Sequence, residues 1–259
     1  MEHAAIQEMP GYIWNLNLLV QAVVPVTLIA SAWAGVGRME LSRSEKTKTA
    51  GLISATIAAW FAVAWWLGHA NVFFVEPTQI PRIQYALLIP ISAGLVLMLG
   101  TQRGAALVRA APQSWFVGMQ VYRALGFVFL ALWSLGQLPG EFAIPAGIGD
   151  VIVGASAPYV AWLNARRSAS AERVTRAWNI FGIGDLIIAV TMGFLTSPSP
   201  LQMLAVDRPN LLITQYPLVM VPAFLVPASI ILHGLSLWKL SHQPHLAGSA
   251  HHVPATNIA

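Results

Sequence analysis

The sequence predicts an all-α integral membrane protein: a seven-helix transmembrane bundle with its N-terminus outside and its C-terminus in the cytoplasm. Three observations carry that expectation. First, 56% of the 259 residues are hydrophobic and only 9% are charged, whereas soluble domains carry roughly 25% charged residues. Disorder is excluded by the same composition, since it needs low hydrophobicity and high net charge. Second, seven apolar stretches approach the roughly 20 residues that a helix needs to cross a ~30 Å hydrocarbon core. Third, connections rich in lysine and arginine alternate with poor ones, as the positive-inside rule requires.

The first span, residues 14–37, has no lysine or arginine in it or before it. Asn15, Asn17 and Gln21 near its outer end would line an external mouth or bond to neighbouring helices. Ala32-Trp33-Ala34 imitates a signal-cleavage site, but Glu2 and Glu8 precede the apolar run without a positive charge, so no cleaved signal is expected. A loop with Arg38, Arg43, Lys46 and Lys48 leads to the second span, 50–70. In the stretch 71–82, Val72-Phe73-Phe74-Val75, followed by Glu76, is expected to lie on the membrane surface. The third span, 83–100, is the shortest, and a loop with Arg103 and Arg109 follows it.

Spans four and five, 114–137 and 142–164, are joined through 139–141 without lysine or arginine. The next loop carries Arg166, Arg167, Arg173 and Arg176 and leads to span six, 177–196. Ser197-Pro198-Ser199-Pro200 then breaks the chain, and 201–206 offers a short interfacial helix. Span seven covers 211–238. Eleven of the 14 lysines and arginines fall on one side, Arg82 and Arg208 on the other, and Arg123 inside a span. Residues 1–240 thus form one transmembrane domain in the plasma or inner membrane. Residues 241–259 are expected to be a disordered cytoplasmic tail, whose His242, His245, His251 and His252 read as solvated rather than as a metal site.

Ionisable residues within spans mark functional sites by default. Arg123, Asp150 and Asp185 lie in spans four, five and six. With a rise of ~1.5 Å per residue, Arg123 and Asp185 sit ~13 and ~12 Å from the cytoplasmic side and Asp150 ~21 Å. Arg123 is therefore expected to pair with Asp185 and to leave Asp150 separately available. The alternative is an ion pair that only sets helix register.

Gln120, Arg123, Ser134 and Gln137 fall near one helical stripe, suited to a hydrated cavity or to a hydrogen-bonded seam. Gly147-Ile148-Gly149-Asp150 recurs as Gly182-Ile183-Gly184-Asp185, and the small residues around each acid would let a backbone or a ligand approach. Pro217, Pro222 and Pro227, after Gln215 and Tyr216, interrupt span seven. The freed carbonyls would bind ions or substrate, or else be satisfied by neighbouring helices. The candidate substrate- or ion-binding set is Arg123, Asp150, Asp185, Gln120 and Tyr216, with no catalytic and no metal-binding residue.

Several chemistries are excluded or unsupported. The chain has no cysteine. Span seven has no lysine for a retinal Schiff base. His69 and His233 border spans at opposite ends, too far apart to share a haem. His-Glu-x-x-His and Gly-x-Ser-x-Gly are both absent. The pI of about 9.8 reflects loop charges, so nucleic acid is not expected as a partner. No cofactor is expected; the partners are the lipid bilayer and a small molecule or cation, with an oligomer or partner subunits compatible. Three functions fit: an ion- or proton-coupled small-molecule transporter, a non-catalytic sensor or accessory subunit, and a membrane-embedded enzyme with an aspartate as general base.

Overall fold

The apolar runs become helices in the computed structural model, which describes residues 9–74 and 77–242. Helices α1 (Gly11–Gly37) and α2 (Arg43–His69) form a hairpin. Helix α3 (Ile83–Leu99) turns by 84° into α4 (Gln102–Ala110). Helix α5 (Gln113–Gly118) continues through a 3₁₀ stretch (Met119–Gly126) into α6 (Phe127–Ser134). Helices α7 (Gly140–Ala165) and α8 (Ala171–Thr196) form a second hairpin. A π-helical turn (Val221–Leu225) runs into α9 (Val226–Ser241). Among the described residues there is no strand. Among the described residues six helical stretches are long and apolar enough to cross a membrane, or seven if α3 and α4 make one broken span.

The boundaries shift for identifiable reasons. Helix α2 begins at Arg43 because Ser42 and Glu45 form a capping box, which satisfies donors at the first turn and carries the helix through its charged segment. Arg103 and Arg109 lie on helix α4 rather than in a loop. The last span starts at Val221 rather than at residue 211, after a short 3₁₀ turn (Leu212–Thr214). Phe73 does not lie on the surface; it is buried in one apolar cluster with Val20 and Val24 of α1, Ala64 of α2, Val219 and Phe224. Val75 and Glu76 fall outside the described residues. No helix forms over 201–206, and Leu201, Met203 and Val206 stay exposed. The tail beyond His242, with the expectation of disorder and the remaining histidines, lies outside the described residues.

The last span, the π turn together with α9 (Val221–Ser241), is the most enclosed of the six, with 61% of an 18-residue apolar window buried, against 11% for α2. Glycine sets how closely α7 lies on the 3₁₀ stretch. A Cβ at Gly154 would collide with the Ala124 backbone, one at Gly126 with Asp150, and one at Gly147 with Leu130. These contacts bring the Asp150 segment against the backbone that carries Arg123.

Candidate functional site

Arg123 sits on the 3₁₀ stretch and is only 3% exposed. Its Nε donates to Asp150 Oδ1 at 2.7 Å, and one Nη2 proton goes to Asp185 Oδ2. Nη1 donates to the Gly182 carbonyl at 3.4 Å and to His233 Nε2 at 3.0 Å. Four of the five guanidinium N–H groups are thereby engaged. A guanidinium cannot accept, so His233 Nε2 is the acceptor and its proton lies on Nδ1. That proton goes to Asn179 Oδ1 at 2.8 Å. The Asn179 amide in turn donates to the Thr175 carbonyl and to Ser236 Oγ, each at 2.8 Å. Gln113 Nε2 donates to the same Ser236 oxygen at 2.6 Å.

The sequence expectation is met for Arg123 and Asp185 and corrected for Asp150, which is not kept apart. Two features explain this. The Nε of a long arginine reaches one carboxylate while its Nη2 reaches another, and Gly126 and Gly154 let α7 press onto the 3₁₀ stretch. The repeated word does not make a symmetric pair. A Cβ on Gly149 would fall on the Asp185 carboxylate and one on Gly182 on the His233 ring, whereas Gly184 faces open space.

His233 is the residue that sequence reasoning placed wrongly. It is fully buried and in the centre, not at a span border. It lies eight residues before the end of α9, ~12 Å deep by the helical rise and level with Arg123 and Asp185, whereas a span ending at residue 238 leaves it only ~8 Å deep.

Gln120 and Tyr216 do not touch the guanidinium. Gln120 is fully buried and donates to the Ser229 carbonyl at 3.0 Å. Tyr122 OH contacts Ser229 Oγ at 2.6 Å and the Leu225 carbonyl at 3.0 Å, so both side chains tie the 3₁₀ stretch to α9. Tyr216 stacks on His69, with ring centroids 3.7 Å apart, and meets Trp14 edge-on. The expected polar stripe does not persist, because 3₁₀ winding has three residues per turn and shifts the phase. Gln120 and Arg123 are buried, but Ser134 is exposed.

Two carbonyls at the proline breaks find partners within the protein. Gln21 bonds the Pro217 carbonyl at 3.0 Å. The Leu218 carbonyl, which Pro222 has no N–H to serve, accepts from Val221 N at 2.9 Å.

Two small voids flank Asp150. One of about 50 Å³ is lined by Asn17, Tyr122, Arg123, Asp150 and Ser229 among apolar neighbours. The other, about 70 Å³, has Asp150 as its only charged lining residue among the described residues and reaches Ser197 and Thr214. Asp185 lines neither. Such volumes admit a few waters, since one water needs roughly 10–15 Å³. Among the described residues no group of three histidine or carboxylate side chains is placed to hold a metal ion; Asp150, Asp185 and His233 gather around the Arg123 guanidinium instead.

Residues 80–241 match the model of a family described as a domain of unknown function, DUF8737. No curated protein and no solved structure matches the chain. The matched region contains α3 to α9, and with them Arg123, Asp150, Asp185 and His233, while the α1–α2 hairpin precedes it. The chain is a polytopic helical membrane protein, and it belongs to the DUF8737 family.

Proposed function

We propose that the protein spans the plasma or inner membrane seven times, N-terminus outside and C-terminus cytoplasmic, and moves a small molecule coupled to a proton or monovalent cation. The charge count at the centre carries this reading. Two carboxylates share one guanidinium, and the imidazole that accepts from Arg123 is neutral. With both carboxylates ionised, one negative charge is in excess inside a low-dielectric interior. A bound proton or cation balances it. Asp150 is the exchanging group, because it faces both voids while Asp185 is enclosed. The orientation follows from eleven lysines and arginines against two.

The test uses proteoliposomes with an entrapped pH dye, offered amino acids, sugars, organic acids and amines in turn. One class should drive proton or counter-cation movement, and Asp150→Asn should abolish it. The proposal fails if no class does so in vesicles where the protein is shown to be folded.

One observation favours a second reading, a non-catalytic sensor or accessory subunit. The voids at the centre are far below the about 300–1,000 Å³ of small-molecule pockets. On that reading the Arg123 cluster is a structural lock. Asp150→Asn would then lower stability, and no solute would move protons.

A further inference from the structure

A far larger cavity, about 960 Å³, lies away from the charged centre, and none of Arg123, Asp150, Asp185 and His233 lines it. Its walls come from α1, α2, α3 and α9, with α4 as a floor at one end. The sides are apolar, and Leu52, Ile89 and Leu97 on its lining are more than half exposed, so the cavity opens to whatever surrounds the helices. Polarity is concentrated at the α4 end. Among the described residues Lys48 and Arg103 are the only charged ones in the lining, and Thr49, Thr101 and Gln102 accompany them. Arg103 also contacts Glu45 at 3.6 Å in an exposed pair, which leaves its remaining N–H groups for another acceptor. The Thr49 hydroxyl is buried with no hydrogen-bond partner, as is Trp60 Nε1. Those two residues mark a wall of ~17 Å along α2, at ~1.5 Å per residue.

We propose that this cavity holds an anionic membrane phospholipid. Its phosphate sits between Lys48 and Arg103, the Thr49 hydroxyl donates to the head-group region, and an acyl chain runs along α2 toward Trp60. A free phosphate would leave the apolar walls unfilled. A second copy of this chain, related by a two-fold axis along the membrane normal, would bring the basic ends to the same level, like charge against like. An anionic lipid matches both the apolar length and the charged end.

The experiment is native mass spectrometry of the full chain in mild detergent. The protein is titrated with phosphatidylglycerol or with phosphatidylcholine carrying the same acyl chains. Phosphatidylglycerol should be retained preferentially, and Lys48→Ala and Arg103→Ala should each reduce its retention about fivefold at low salt. Ala93→Trp, which places an indole in the apolar part of the cavity, should weaken lipid retention with both cations still present. If Ala93→Trp proves misfolded by circular dichroism, Thr56→Trp on the facing wall makes the same test. Equal retention of the two lipids, unchanged by the double Lys48→Ala/Arg103→Ala variant, would mean annular lipid only and would overturn the proposal. A dimer mass that disappears with Ala93→Trp would also overturn it, by identifying a second copy as the occupant.

Discussion

Replacing Arg123 and Asp185 by leucine, singly and together, probes the centre most directly. Asp185→Leu removes the acceptor of one Nη2 proton but leaves Arg123 held by Asp150 at 2.7 Å and by His233 at 3.0 Å. Arg123→Leu instead strands two carboxylates, and both side chains are largely buried, with 14% and 7% exposure. Breaking a buried ion pair from one side costs about 3–5 kcal/mol. Asp185→Leu should sit at the low end of that range and Arg123→Leu at the high end. In the double variant Asp185 is no longer present to be stranded, so its loss should not exceed that of Arg123→Leu alone. The coupling should therefore reach about 3 kcal/mol, the upper end for residues in one network. The assay is reversible unfolding in a mild detergent, followed by far-ultraviolet circular dichroism. A double variant that loses the full sum, about 8 kcal/mol, would refute the pairing.

Two further predictions test packing and orientation. Gly154→Ala places a methyl on the Ala124 backbone and should destabilise by about 1–3 kcal/mol, whereas Gly184→Ala meets open space and should be neutral or stabilising by up to about 1 kcal/mol; thermal unfolding in detergent ranks the two, and the reverse order would contradict the close approach of α7. Because the chain has no cysteine, Lys46→Cys, Arg167→Cys and Glu141→Cys each report alone to an impermeant thiol reagent on intact cells; only the last should label, and labelling at 46 or 167 would overturn the orientation.

Much of the helical architecture was legible because bilayer thickness acts on the length and composition of apolar runs, which a sequence displays directly. The first span and the span of α7 begin and end within three residues of expectation. The pairing of Arg123 with Asp185 was legible because depth along a helix is simple arithmetic. What escaped was lateral geometry. The 3₁₀ winding at Met119–Gly126 rephases a whole helix, and nothing in that segment announces it. Asp150 was set apart by its height, but an arginine side chain spans that difference. His233 was read as a border residue because span seven was taken to end at residue 238. The helix continues to Ser241, which places the imidazole deeper. The lateral opening beside α2 could not be read either, since it depends on which helices fail to meet.

The spacing of the Arg123 contacts along the chain also has a meaning in time. Asp150 follows Arg123 by 27 residues, Asp185 by 62 and His233 by 110. Synthesis proceeds at about 5–20 residues per second, so the guanidinium waits about 1–5 s for its first carboxylate and about 5–22 s for the imidazole. An unpaired arginine at the centre of a single helix disfavours membrane insertion by about 2.5–3.5 kcal/mol. The span that carries Arg123 is therefore poorly suited to enter lipid alone, and the arrival of α7 with Asp150 is the first moment at which its charge is matched. During biogenesis Asp150 acts as the escort of this span, Asp185 adds the second carboxylate, and α9 closes the cluster last by delivering His233.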